Sequence, residues 1–271
     1  MTTPHLLTQP LTSTARGSSD VSINTLELIN ENGSFETGDY EGWNTIGDTS
    51  IETDHLGIFP TEGHYQALIT TGDSDAGGSV VDGDLEEFLD LDPGSLDHLV
   101  HGHAFEGSVI KQTFTVEAGD VVSFDWNFLT NESTPDATYN DTAFFSVNGF
   151  TFELADTNAH FQDAAHVDGF GEQTGEQTLT FSIAKAGTYT IGFGVVDVGD
   201  DLVDSGLVID NLDTQSIHEG DQITSSGGVS ELLAPSPDLI LGDAGFTTAN
   251  DSAVNDSASG LVLGENGFEI F

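Results

Sequence analysis

Cysteine is absent from this chain, which excludes disulfides, thiolate metal centres and cysteine nucleophiles. Basic residues are almost absent too. Arg16, Lys111 and Lys185 stand against 47 acidic residues, a formal net charge of −44. Charged residues make up 18% of the chain, below the roughly 25% of an average globular protein, so the imbalance comes mainly from missing lysine and arginine. Without a basic footprint the chain cannot track a phosphate backbone, so nucleic acid is excluded as a partner. Docking on an anionic membrane is disfavoured for the same reason. No apolar run approaches the roughly 18 to 20 residues of a membrane-spanning helix, so membrane insertion is not expected.

What is present can build a core. The 271 residues are 37% hydrophobic and include 18 phenylalanines, enough for one large β domain with tails or for two small domains. Self-repulsion at this charge opposes compaction, and almost no cationic side chain is available to offset it. Two compensations are open: bound divalent cations, for which calcium best suits carboxylate and carbonyl oxygens, or a salt-adapted surface screened by high ionic strength.

Four zones divide the chain. Residues 1–22 are a polar leader with Pro4 and Pro10, residues 23–215 carry strand-like runs, residues 216–237 are a Gly/Ser/Pro-rich linker, and residues 238–271 form a tail. The leader lacks the basic and apolar regions of a Sec signal peptide. The tail repeats itself: LILGDAGF (239–246) and LVLGENGF (261–268) share the pattern L-[IV]-L-G-[DE]-x-G-F. Such apolar segments need a sheet edge to pair with, in the same subunit or in another copy of the chain.

In the middle zone, runs such as VIKQTFTV (109–116), DVVSFDWNFL (120–129), TAFFSVNGFTFEL (142–154) and TYTIGFGVVDV (188–198) are rich in Val, Ile, Thr and Phe and bounded by Gly, Asp and Asn. They read as antiparallel strands. The stretches 112–126 and 179–193 both run strand, Ala-Gly turn, strand, which predicts two hairpins turning at Gly119 and Gly187. One short helix is predicted over 82–97, capped by Asp82 or Asp84, stopped by Pro93 and Gly94, and lying across an end of the sandwich. No βαβ alternation is present. The expected fold is an all-β, antiparallel jelly-roll sandwich with one short helix and strand-bearing extensions.

The segment NGSFETGDYEGW (32–43), followed far downstream by GLVIDNLDT (206–214), resembles the first and last strands of jelly-roll modules related to bacterial carbohydrate-binding modules. EEFLDLDPGSLD, EGSVIKQTFTVEAGDVVSFDWNFLTNES, YNDTAFFSVNG and TYTIGFGVVDVGDDLVDSGLVIDN resemble domains of cyanobacterial and marine bacterial surface proteins and type I secreted adhesins. The final GLVLGENGFEIF is similar to the uncleaved acidic export signals of type I secretion. The resemblance covers roughly residues 30–214. It implies a cell-surface or extracellular location and a structural calcium between opening and closing strands, held by Glu36 and Asp210. Phe35 and Trp43 read as core.

Further calcium candidates follow from carboxylate density. Asp197, Asp200, Asp201 and Asp204 crowd into one loop, Asp73 and Asp75 have D-x-D spacing, and Asp141 closes an acidic loop. Such clusters repel unless they are hydrated or share a cation. His98, His101 and His103 are a weaker transition-metal candidate. No phosphate loop, G-x-S-x-G elbow or H-E-x-x-H motif occurs, and among so many acids no catalytic pair stands out. The expectation is a non-catalytic, extracellular, calcium-binding structural or adhesive protein that self-assembles through its tails. The alternative is a calcium-stabilised module for polysaccharide, with Tyr40 and Tyr139 as exposed loop aromatics.

Overall fold

The computed structural model describes residues 31–72 and 78–216, together with the backbone of Val262–Leu263. In chain order the strands are β1 (Asn44–Ile46), β2 (Asp48–Glu52), β3 (Gln66–Thr70), β4 (Val80–Val81), β5 (Ala104–Val116), β6 (Val121–Thr130) and β7 (Thr142–Val147). They continue with β8 (Phe150–Asp156), β9 (Gln162–Asp163), β10 (Glu172–Gln173), β11 (Gln177–Ile183), β12 (Gly187–Val198), β13 (Ser205–Gln215) and β14 (Val262–Leu263). One sheet has the order β1-β5-β12-β7-β8 with β4 on β5; the other has β14-β11-β6-β13-β3-β2, with β10 on β6 and β9 on β10. The two sheets face each other as an antiparallel jelly-roll sandwich.

Alternation along the strands supplies the core. Ile110 and Phe114 of β5, Phe124 and Phe128 of β6, Phe145 of β7, Phe181 of β11, Ile191 and Phe193 of β12 and Leu207 and Ile209 of β13 all point between the sheets. The rings interlock: Phe124 meets Phe193 edge-on at 4.6 Å between centroids, and Phe35 stacks on Trp43 at 5.2 Å. Phe35 and Trp43 are core residues, as read from the sequence.

The two expected hairpins are instead arches between the sheets. β5 and β6 belong to different sheets, as do β11 and β12. The physical reason is that the apolar faces on either side of each turn must oppose one another across the core, not lie side by side. The two arch units then pair with each other, β5 with β12 and β6 with β11. Their turns are stitched by Gly119 N–H donating to Ile183 O at 2.7 Å and Ile183 N–H to Asp120 O at 2.8 Å. The true hairpin joins β7 to β8 through Asn148 (φ 48°) and Gly149 (φ 85°), the Asn-Gly pair that a type I′ turn favours.

The single expected helix is two, α1 (Asp82–Phe88) and α2 (Ser95–Leu99). The chain breaks at Asp90, which takes a left-handed φ of 57°. Buried Glu86 bridges the break, its carboxylate accepting the N–H groups of Gly94 and Leu96 at 2.9 Å each. Neither Asp82 nor Asp84 is the N-cap of α1; Val81 is, without a side-chain bond, and both acids lie in the first turn, where they favour the helix dipole. The helices do not cross an end of the sandwich. Leu85, Leu89 and Leu96 pack on Val109, Phe144 and Val196, the outer face of the first sheet. Leu56, Ala164 and Val167 cover Leu68, Leu129 and Val208 on the outer face of the second.

Among the described residues no helix is long and apolar enough to cross a membrane. The first tail repeat lies outside the described residues. Of the second, Val262–Leu263 pairs in parallel with Ser182–Ile183 at the β11 edge.

Candidate functional site

The opening turn is closed by Phe35 N–H donating to Asn32 O at 3.2 Å. Phe35 has a left-handed φ of 58°, an uncommon conformation for a bulky residue that its core packing must sustain. The next residue, Glu36, meets the segment 61–65: its Oε1 accepts the N–H groups of His64 at 2.7 Å and Tyr65 at 2.8 Å. Gly63 makes this approach feasible, because a Cβ there would coincide with the Glu36 carboxylate. From β13, Asp210 grips the same segment. Its Oδ2 accepts Thr61 N–H at 2.7 Å, Thr61 Oγ1–H at 3.2 Å and Glu62 N–H at 3.0 Å, while Oδ1 accepts Asn211 N–H at 2.7 Å. Glu36 and Asp210 thus clamp one loop through backbone donors. Burial raises the Asp210 carboxyl to about 6, although those donors pull the other way.

A second acidic centre forms where β3, β5, β6, β7, β12 and β13 end or begin. The alternation that turns Ile191, Phe193 and Val195 of β12 into the core also turns Asp197 inward, and a register shift against β5 between Val196 and Val198 falls at this residue. Such irregularities re-aim a side chain. Asp141, the residue before β7, meets it. Asp141 Oδ2 accepts Ser205 Oγ–H at 2.6 Å and Oδ1 accepts Val198 N–H at 3.0 Å. Ser205 is held in turn by Thr130 Oγ1 at 2.8 Å and donates its N–H to Thr71 Oγ1 at 2.9 Å. Asp141 and Asp197 are each 2% exposed, and Glu106 beside them is also buried. Burial above all, then other carboxylates (Glu132 for Asp141; Asp141 and Glu106 for Asp197), pushes both carboxyls well above the ordinary range. Asp197 Oδ1 has no hydrogen-bond partner among the described residues.

The other candidates separate from this pair. Asp200 caps its own turn by accepting Leu202 N–H at 3.1 Å, while Asp201 and Asp204 are exposed on the loop. Asp73 and Asp75 lie outside the described residues. Tyr40 is packed against the core, with its hydroxyl donating to Ser50 O at 2.8 Å, so it is not the exposed platform expected of it; burial raises its phenol. Tyr139 is 38% exposed. Its loop is set by Asp136 Oδ1, which accepts the N–H groups of Thr138 at 2.7 Å and Tyr139 at 3.2 Å, and Thr157 Oγ1–H donates to Tyr139 O at 2.9 Å. The ring lies over Gly199, where a Cβ would stand 3.2 Å from it. Among the histidines, His103 meets Asp97 at 3.2 Å and, with Asp82, forms a mixed, largely solvent-facing group. His101 sits in a left-handed turn, its ring 6.3 Å from that of His98.

Sequence reasoning missed Thr71, Glu106 and Ser205. Strand parity was the available signal for Asp197, since counting by twos from Ile191 places it inward.

No protein-family model matches the chain, and no curated protein matches it in sequence. Solved structures do. The carbohydrate-binding module TmCBM61, in complex with β-1,4-galactotriose, is 14% identical with a TM-score of 0.37, covering 70% of this chain and 98% of that one. TmCBM27, described for specific mannan recognition, is 12% identical with a TM-score of 0.35, covering 70% and 96%. A non-crystalline-cellulose-specific module is 14% identical with a TM-score of 0.33, covering 69% and 94%. What this chain is similar to, in each case, is a carbohydrate-binding jelly-roll β-sandwich.

Proposed function

We propose that this chain is a non-catalytic, extracellular module that binds polysaccharide at the end of the sandwich carrying Tyr139. The observation that carries the reading is the Tyr139 ring itself. It is exposed, backed by Gly199 and fixed by a hydrogen-bonded loop. An amphipathic ring presented at low conformational cost suits the apolar face of a sugar. The carboxylates of Asp136 and Asp200 around it accept hydrogen bonds, and sugar hydroxyls donate them. Leu202, in the loop that begins at Gly199, is 78% exposed. Native affinity gels containing galactan, mannan or non-crystalline cellulose test the reading. Retention by at least one polysaccharide, lost in Tyr139→Ala at unchanged thermal stability, is expected. No retention on any of a broad panel, or retention indifferent to Tyr139, would overturn it.

A second reading, self-association into an adhesive or structural assembly, is favoured by one feature. The β11 edge pairs with a segment of the second tail repeat, and an edge that accepts this strand from its own chain offers the same hydrogen bonds to a neighbour's.

A further inference from the structure

Apart from the Tyr139 surface, the sandwich contains a buried pair of carboxylates whose charge has no cationic partner among the described residues. Asp197 lies in β12 and Asp141 directly before β7, the neighbouring strand of the first sheet, and each is 2% exposed. The groups acting on them are the hydroxyls of Ser205 and Thr71, the N–H of Val198 and the further carboxylates Glu106 and Glu132; no lysine or arginine is among them. Hydroxyl and amide donors occupy both oxygens of Asp141, but Oδ1 of Asp197 is left without a hydrogen-bond partner among the described residues. A buried carboxylate oxygen with nothing to accept is costly, and native structures rarely tolerate one without an ion, a water or a function.

The geometry points to a divalent-cation site between Asp141 and Asp197, in which Asp197 Oδ1 is a ligand and the hydroxyl oxygens of Ser205 and Thr71 complete part of the shell. The donor set is all oxygen and carries two negative charges, which matches calcium far better than a soft transition metal. The site is internal and ties Asp141 at the start of β7 to the end of β12 and the start of β13. Its occupancy would brace the loops 131–141 and 199–204, which meet at Tyr139. It does not depend on polysaccharide binding. A proton shared between the carboxylates is the rival occupant, and the two make opposite predictions for an isosteric amide.

The test is calorimetric titration of calcium into the chelated full-length chain at fixed ionic strength, with thermal unfolding in parallel. Wild type should bind calcium and unfold at a higher temperature in its presence, and Asp197→Asn and Asp141→Asn should each bind one ion fewer per chain and lose that part of the shift. A calcium-free Asp197→Asn chain as stable as wild type, together with undiminished calcium stoichiometry, would show that a shared proton suffices and would overturn the site. So would a wild-type chain that takes up no calcium. Should the variants fail to fold, crystals of wild type soaked in terbium decide: an anomalous peak between Asp141 and Asp197 is expected, and its absence there overturns the proposal.

Discussion

Thr61 N–H donates to Asp210 Oδ2 at 2.7 Å across 149 residues of chain, while Glu36 takes the two N–H groups at the other end of the same short segment. The opening turn and β13 are therefore joined through a third element. Removing the carboxylate takes the acceptor from these amide donors, at about 1–3 kcal/mol for buried Asp210 and less for the exposed pair held by Glu36, which water can satisfy. Glu36→Ala and Asp210→Ala, which remove the acceptor outright, should both lower the urea midpoint, Asp210→Ala by more. The double variant should lose less than their sum, because once one end of the loop is released the other has less to hold. Strict additivity in a double-mutant cycle would show that the two grips are independent.

Stability should fall as pH rises, the reverse of the common carboxylate pattern. Asp210 is raised to about 6 and Glu153 to about 7, both chiefly by burial. A carboxyl whose folded pKa exceeds its unfolded value near 4 contributes fully below pH 4, and the contribution disappears as pH climbs through the folded value. For Asp210, almost fully buried, this is on the order of 3 kcal/mol across pH 4 to 7. Asp141 and Asp197, facing Glu106 and Glu132, act in the same direction. Chelated protein should thus melt at a lower temperature at pH 8 than at pH 5, and Glu153→Gln should flatten the profile between pH 6 and 8. A melting temperature that rises over that range would contradict these shifts.

Two glycines should respond in opposite directions. Gly107 of β5 faces the Val195 carbonyl so closely that an added Cβ would strike backbone, and the paired strands cannot separate without breaking their ladder. Gly107→Ala should cost about 1–3 kcal/mol. Gly83 lies in α1 with nothing within 4 Å of where a Cβ would stand, so Gly83→Ala should stabilise by about 0.5–1 kcal/mol through helix propensity. Chemical denaturation of both variants reads the two signs.

Much of this architecture is visible in the sequence because its causes are local. Alternating Phe, Ile and Val mark both faces of β5, β6 and β12, and Phe35 and Trp43 announce themselves as core by type and spacing. The arches at 117–120 and 184–186 were not distinguishable from hairpins, because a Gly-containing turn is compatible with either; pairing partners, not turn residues, decide. The hairpin that does exist carries the stronger Asn148-Gly149 signal inside a run that otherwise reads as one strand. Asp141 and Asp197 were legible as acids but not as neighbours, since the sheet order that joins them is a long-range property. Tyr40 and Tyr139 look alike in the sequence, and only packing buries one and exposes the other.

The contact between the tail and the β11 edge leads to a test of the self-association reading. Val262 and Leu263 pair in parallel with Ser182 and Ile183, while the described strands 44–215 pair with one another. A chain ending at residue 237 should keep a cooperative unfolding transition. Its β11 edge would then be open, with unpaired donors and acceptors that favour a new strand. A synthetic peptide of residues 259–271 should bind the shortened chain, and Ser182→Pro, which removes a backbone donor from that edge, should weaken the binding. In the full-length chain, the same exchange between molecules should appear in light scattering as concentration-dependent growth that excess peptide suppresses. A peptide that does not bind, or growth indifferent to it, would remove the tail as the element that joins one copy to the next.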